Sequence, residues 1–510
     1  MATATPIKHI VVIFQENVAF DHYFGSYPNA LNPRGEPSFH RTPDTPTING
    51  LSGALLNHNP NLNPANGPGA SNPFRLDRSQ ALTADMEHDY TPEQQAFDGG
   101  LMDLFPSHTG TAGPPPNAAT HPSNTSGLVM GYFDGNTVTA LWNYAQHYAM
   151  SDNSFGTTFG PSTVGAINLV SGQTNGVLKH INGSGDLVEG GNGSFTLIGD
   201  PDPLGDVCSA PEGAQVQMGG QNIGNLLNQS GVTWGWFEGG FNLNVVNPEG
   251  SSGCHRHSRS AISGTADDYV PHHEPFQYYA STSNPTHARP SSLSAIGKSG
   301  DAANHQYDLD DFFAAVEARI FPAVSFLKAI AIQDGHAGYS DPLDEQTFLV
   351  HVINFLQQQA EWQDTAIVIL YDDSDGWYDH QMGPIVNSSK SPADALTGPG
   401  ACGTGITALS GIDSIHKPAQ GRCGYGPRLP MLVISPWSRH NFVDHAVTDQ
   451  TSIIRFIEDN WLGGQRIGQG SFDGVANSIN QMFDFKQHPS SDKYILDQKT
   501  GESVFNSSSH

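Results

Sequence analysis

Short apolar runs punctuate a polar, glycine-rich chain. Ile7–Phe14 reads IKHIVVIF, Thr365–Leu370 TAIVIL and Leu429–Ile434 LPMLVI. Unbroken apolar, β-branched runs of this length predict strands buried on both faces, as in parallel sheets. Ala323–Ile332 and Val232–Phe237 (VTWGWF) predict two more, the aromatics of the second reading as core. Between the runs the period changes to that of a helix. Val138, Leu141, Trp142, Ala145, Tyr148 and Ala149 share one face and predict a core helix over Asn136–Met150. Asp308–Ile320, Gln346–Trp362 and Asp449–Trp461 predict three more, and Thr163–Val170 reads as the first turns of another. Alternating strands and helices predict an α/β fold, a central mostly parallel sheet flanked by helices, in one domain over residues 1–510. No period of 20–50 residues recurs, which excludes solenoids and propellers.

Long aperiodic stretches separate these elements. Pro28–Arg75 is rich in Pro, Asn and Gly, and Pro106–Gly127 holds three consecutive prolines. Asn182–Gly220 and Asn242–Gly300 are similarly loop-like. Residues 28–75 and 182–300 are expected to form a partial cap over the active edge of the sheet.

Polar doublets follow the apolar runs. Glu16 and Asn17 come just past the first, and Asp372 and Asp373 just past TAIVIL. In open α/β sheets, ligands bind off the carboxyl ends of strands. Adjacent aspartates there repel each other unless a cation or hydrogen bonds compensate. Gly160-Pro161 makes a turn before Ser162, at a helix start where backbone N–H groups favour an anion; a plain N-cap is the competing reading. His336 stands past another predicted strand, and His272 and His273 are adjacent, with phosphate or metal contact weighed against a surface position.

Charge and cysteine content narrow the partners. With 22 basic and 50 acidic residues the net charge is −28, which disfavours nucleic acid and anionic lipid. No apolar run reaches about 18 residues, so no membrane span is expected, and no charge or amphipathic signal points to stable membrane attachment. Cys208, Cys254, Cys402 and Cys423 form no zinc-type spacing. Their even number fits two disulfides, most simply Cys208–Cys254 and Cys402–Cys423, in an exported protein. Four buried reduced thiols in a cytosolic enzyme are the alternative. The expectation is a periplasmic or secreted protein whose signal peptide is not in this sequence.

Together these blocks resemble the bacterial acid phosphatase and phospholipase C family of phosphoesterases, a branch of the alkaline phosphatase superfamily. IKHIVVIFQENVAFDHYFG is similar to its opening motif, with Val18 and Ala19 departing from the usual pair. FGPSTVGAINLVSG is similar to its nucleophile motif, and HHEPFQYY, DGHAGYSDP and VILYDDSDGWYDH to three further blocks in family order. Ser162 in place of Thr is closer to the acid phosphatase branch. The resemblance implies one divalent metal ion on Glu16, Asn17, Asp372, Asp373 and the Ser162 oxygen. It also implies a phosphate pocket lined by His88, His272, His273 and His336, with Ser162 as nucleophile and His336 and His88 assisting. Oxygen donors suit Ca²⁺, Mg²⁺ or Mn²⁺, whereas Zn²⁺ usually prefers N and S ligands. The expected activity is hydrolysis of small phosphate monoesters through a phosphoserine, with a phospholipase C or other phosphodiesterase on the same site as the alternative.

Overall fold

The structure, a computed structural model, describes residues 3–110, 126–183, 185–191, 193–404, 408–412 and 414–504. The triple-proline part of the loop expected over Pro106–Gly127 lies outside these residues. Eight strands build the central sheet: β1 His9–Gln15, β2 Ala149–Ser151, β3 Trp234–Glu238, β4 Gln306–Asp308, β5 Val324–Lys328, β6 Thr365–Tyr371, β7 Met431–Ile434 and β8 Phe442–Asp444. They lie in the order β4-β3-β5-β1-β6-β7-β2-β8. β4, β3, β5, β1 and β6 are parallel neighbours. β7 is antiparallel to both β6 and β2, and β8 is parallel to β2. The sheet is therefore mostly parallel, and β1, β5 and β6 end side by side.

Side chains alternate across the sheet, so it feeds two cores. Val11, Ile13, Ile367 and Ile369 face one layer, with Leu141 and Trp142 of α1 (Thr139–His147), Phe312 of α4 (Leu309–Glu317) and Val352 and Ile353 of α5 (Pro342–Gln357). Ile10, Val12, Phe14, Ala366 and Val368 face the other, with Ile167 and Val170 of α2 (Ser162–Ser171), Leu226 of α3 (Ile223–Ser230) and Ile453 and Ile457 of α6 (Thr451–Trp461). Burial on both faces is why these strands read as continuous apolar runs.

Several boundaries differ from the periodicity. The helix expected to reach Met150 stops at His147, because Tyr148 is extended and Ala149–Ser151 pairs with β7 and β8. The strand expected through Ile332 ends at Lys328, and Ala331–Gln333 forms a 3₁₀ turn. α5 starts earlier than expected, at Pro342, because the Asp341 side chain accepts from the Leu343 and Asp344 N–H groups. It ends at Gln357 and is followed by a separate 3₁₀ turn over Ala360–Asp364. The region expected as loop after residue 182 is partly a small sheet, ordered Leu187–Glu189, Phe195–Leu197, Asn175–Ile181, Gln215–Met218, Asp202–Pro203. Its strands are short and separated by glycines, which hides any period. Both expected cysteine pairs are disulfides, Cys208–Cys254 and Cys402–Cys423.

Buried acids set the pH response of this scaffold. Burial pushes Glu345 up to about 8, although the Tyr371 and Tyr23 hydroxyls donate to it. Burial and nearby Asp473 push Glu458 up to about 9. An acid with a raised folded pKa favours the fold most below its unfolded pKa, and that contribution is lost as pH rises towards the folded value. Buried His22 and His305 and half-buried His147 are lowered to about 3, about 4 and about 4. They oppose this trend only below the ordinary histidine pKa of about 6.5. The Tm is therefore expected to fall steadily from about pH 6.5 to about pH 9. Calorimetry across that range checks it, and Glu345→Gln should flatten the slope.

Candidate active site

The ends of β1 and β6 and the start of α2 converge. Glu16 follows β1, where its N–H donates to Asp334 O at 2.9 Å. Asn17 then adopts φ +54°, a left-handed conformation that Asn tolerates better than most residues. That turn breaks the strand alternation, so the Glu16 and Asn17 side chains meet on one side. β6 is laced to β1 beyond the ladder: Asp372 N–H donates to Gln15 O at 3.2 Å and Val18 N–H to Asp373 O at 2.9 Å. Asp372 Oδ1 accepts from the N–H groups of Asn17 (3.0 Å) and Asp373 (2.8 Å).

α2 delivers the serine. Gly160 has φ +121°, a turn that favours glycine. Pro161 is the N-cap and Ser162 the first helical residue, so the competing N-cap reading of Ser162 does not hold. Its Oγ lies 3.0 Å from Glu16 Oε2, 3.1 Å from Asp373 Oδ2 and 3.3 Å from Asn17 Oδ1. Asp200 takes the Thr163 N–H at 2.8 Å, filling part of the helix terminus. α2 can come this close because Gly165 faces β6: a β-carbon there would stand 2.2 Å from the Asp372 carbonyl oxygen. Gly165→Ala is expected to push the helix away. Overpacking of this kind costs about 1–3 kcal/mol, and displacing the serine by about 1 Å lowers kcat on the order of 10²-fold. Thermal melts and steady-state kinetics on one preparation check both.

Oxygen atoms crowd around Ser162 Oγ. One hydroxyl proton cannot serve the three oxygens around Ser162 Oγ. The inward amide position of Asn17 is 2.6 Å from Glu16 Oε2 and 3.1 Å from Asp372 Oδ1, both acceptors, while the outward one is 3.1 Å from His336 Nε2. With protein atoms alone, turning the amide over would satisfy more hydrogen bonds. Oxygen facing inward is what a central cation would favour. Burial and Asp372 push the Asp373 carboxyl well above the usual range, a strain that a cation relieves. The oxygen atoms of Glu16, Ser162, Asp372 and Asp373, joined by that of Asn17 when it faces inward, and the lack of sulfur fit a hard divalent ion.

The four expected histidines surround this cluster at different depths. His88 Nε2 is 3.4 Å from Asn17 Nδ2, and its Nδ1 is 2.7 Å from Met86 O. Burial opposes a charge on His88, yet Asp373, Asp375, Asp85 and Asp200 outweigh it and hold its pKa well above the ordinary value. His336 stacks on Tyr339 at 4.4 Å and is lowered, by burial first and by His88 among the smaller causes. Asp85, His88 and His336 offer ligand atoms all within 4.8 Å of one another. His273 is buried, 3.5 Å from Glu16 Oε1, and lowered well below the ordinary value by burial, His272 and His336. His272 is further out, 3.7 Å from Asp202, and carboxylates of the small sheet raise it against the pull of burial.

Two groups at the site escape sequence reasoning. Lys328, the last residue of β5, is buried and pairs with Glu16 Oε1. Glu16 thus turns one oxygen to Lys328 and the other to Ser162. Asp334, also buried, is 3.9 Å from His273. Lys328 interrupts the expected Ala323–Ile332 run and ends β5, and the parallel pairing of β5 with β1 brings it to Glu16.

The sequence profile of the Phosphoesterase family matches residues 7–462. The chain belongs to that family. It is a phosphoric ester hydrolase. Among relatives of this phosphoesterase, Phospholipase C A of Mycobacterium tuberculosis is 25% identical over 495 residues, 96% of this chain and 79% of the relative. Non-hemolytic phospholipase C of Pseudomonas aeruginosa is 32% identical over 161 residues, 30% of this chain and 22% of the relative. Non-specific phospholipase C6 of Arabidopsis thaliana is 23% identical over 436 residues, 85% of this chain and 62% of the relative. None of these names carries the acid phosphatase branch that Ser162 pointed to. Among solved structures, murine ectonucleotide pyrophosphatase/phosphodiesterase 5 is 12% identical, covering 68% of this chain and 95% of its own, with a TM-score of 0.31. A Vibrio parahaemolyticus protein in the alkaline phosphatase superfamily is 12% identical, covering 81% and 77%, with a TM-score of 0.27. These two are too distant to carry any residue's role to the phosphoesterase.

Proposed function

We propose that this chain hydrolyses small phosphate esters by transferring the phosphoryl group to Ser162. The observation that carries this reading is Ser162 Oγ within 3.1 Å of both Glu16 Oε2 and Asp373 Oδ2, at the head of a helix. Glu16, Asn17, Asp372, Asp373 and the Ser162 oxygen would hold one divalent ion. Such an ion supplies charge neutralisation and lowers the pKa of an adjacent hydroxyl. Ser162 Oγ gives up its proton towards Glu16 or Asp373 and bonds to phosphorus as the bond to the leaving oxygen breaks. Lys328 neutralises the far oxygen of Glu16 and fixes its orientation. His88 and His272, both raised, hold positive charge against the phosphoryl oxygens. An imidazole protonates the leaving oxygen. Water then attacks the phosphoserine, regenerating Ser162 and releasing phosphate. Two disulfides support an exported protein. Among the described residues no helix is long and apolar enough to cross a membrane.

Two substrate classes fit this chemistry. His88 and His272, whose charged forms are favoured, support a compact dianionic monoester. The names of the relatives favour the second class, phospholipids, more directly. A metal-replete preparation assayed at acid pH on an aryl monophosphate, a bis-aryl phosphodiester and phosphatidylcholine separates them. The monoester is expected to give the highest kcat/KM. A preference for phosphatidylcholine with diacylglycerol as product would make the chain a phospholipase C.

A further inference from the structure

Between the His88 loop and the nucleophile lies a carboxyl with no role assigned above. Glu93 sits on the helix Tyr90–Phe97, five residues after His88, and its side chain is buried. Its Oε2 accepts from the Gly160 N–H at 3.1 Å, in the turn two residues before Ser162. Its Oε1 accepts from the Ser374 hydroxyl at 2.6 Å, in the residue after Asp373. Ser374 Oγ in turn accepts from the Gly376 N–H at 3.1 Å. Gly376 packs against the backbone before His88: a β-carbon there would stand 2.3 Å from Glu87 O. One buried side chain thus ties together the three loops that present the histidine, the serine and the paired aspartates.

The backbone around Gly160 gives this tie its leverage. Gly160 has φ +121°, a conformation with little intrinsic preference to keep Ser162 facing Glu16 and Asp373. No side chain of the N-cap Pro161 holds the helix start. Burying a carboxyl costs free energy unless its oxygens are hydrogen-bonded, and both oxygens here are spent on loop geometry.

We propose that Glu93 is a positioning residue that seats the Ser162 turn against the Asp372–Asp373 loop through its two hydrogen bonds. The proposal rests on Ser162 being the nucleophile. Glutamine preserves the arrangement, since its oxygen accepts from Gly160 N–H and its amide group donates to Ser374 Oγ. Methionine has similar length and neither function.

The test compares Glu93→Gln and Glu93→Met in the full chain, with kcat, KM, bound metal and Tm measured on each. Glu93→Met is expected to lose on the order of 10²-fold in kcat at little-changed KM and unchanged metal content, and Glu93→Gln to stay within about fivefold of wild type, because misplacing a reacting group by about 1 Å costs that much. Ser374→Ala cuts the same link from the other end and is expected to lose about tenfold in kcat. It decides the matter if Glu93→Met does not fold. A folded Glu93→Met or Ser374→Ala enzyme with wild-type kcat overturns the proposal, as does Glu93→Gln being as impaired as Glu93→Met. Ser162→Ala in the same series separates the two claims: if it stays active, the nucleophile reading itself has failed.

Discussion

Replacing Ser162 by alanine is expected to abolish turnover while leaving the fold intact. Losing the nucleophile in enzymes of this kind costs on the order of 10⁴-fold or more in kcat. The fold should survive because Ser162 does not cap its helix: the N-cap is Pro161. Among the described residues its Oγ hydrogen-bonds to Glu16, Asn17 and Asp373, and removing it takes away a donor to the two carboxylates rather than stranding one. The Tm should stay near wild type, and bound metal should weaken only modestly because four other oxygen donors remain. Near-normal kcat in Ser162→Ala would reduce the serine to a polar helix-start residue.

Asp373→Asn is expected to have the second largest effect, on metal and activity together. Removing one group that stabilises charge in the transition state typically costs on the order of 10²–10³-fold in kcat. A second signature distinguishes a ligand from a structural carboxylate. In the metal-free protein Asp373 is buried against Asp372, and its pKa is pushed well above the usual range by burial and by that neighbour. Removing its charge relieves this repulsion, so metal-free Asp373→Asn should be at least as stable as metal-free wild type. Adding metal should then raise its Tm far less than it raises that of wild type. Asp372→Asn should behave similarly, since its Oδ1 can still accept from the Asn17 and Asp373 N–H groups. Elemental analysis and paired melts check both variants. Full metal occupancy with full activity would take this pair out of the site.

Much of this arrangement was legible in the sequence because parallel sheets write themselves plainly. Strands buried on both faces leave unbroken apolar runs, and the polar doublets Glu16-Asn17 and Asp372-Asp373 stand at their carboxyl ends. The Gly-Pro turn before Ser162 reads equally as a plain helix cap, and it was the resemblance of its motif to the family's nucleophile block that singled it out. The short strands Ala149–Ser151, Gln306–Asp308 and Phe442–Asp444 were not legible. Three residues hold no measurable period, and their place in the sheet is decided by neighbours far away in the chain. Lys328 and Glu93 were hidden for a related reason. Each looks locally like an ordinary charged residue at the end of a strand or on a helix. What makes them part of the site is the pairing of β5 with β1 and the approach of the Gly160 turn to the Tyr90–Phe97 helix.

The measurement that most directly tests phosphoryl transfer to Ser162 is a rapid acid quench during turnover of an aryl monophosphate, followed by mass spectrometry of the protein's peptides. A phosphoryl adduct is expected on the peptide carrying Ser162, at that residue, in wild type and not in Ser162→Ala. Steady turnover with no adduct at Ser162, or with the adduct on another residue, would contradict it.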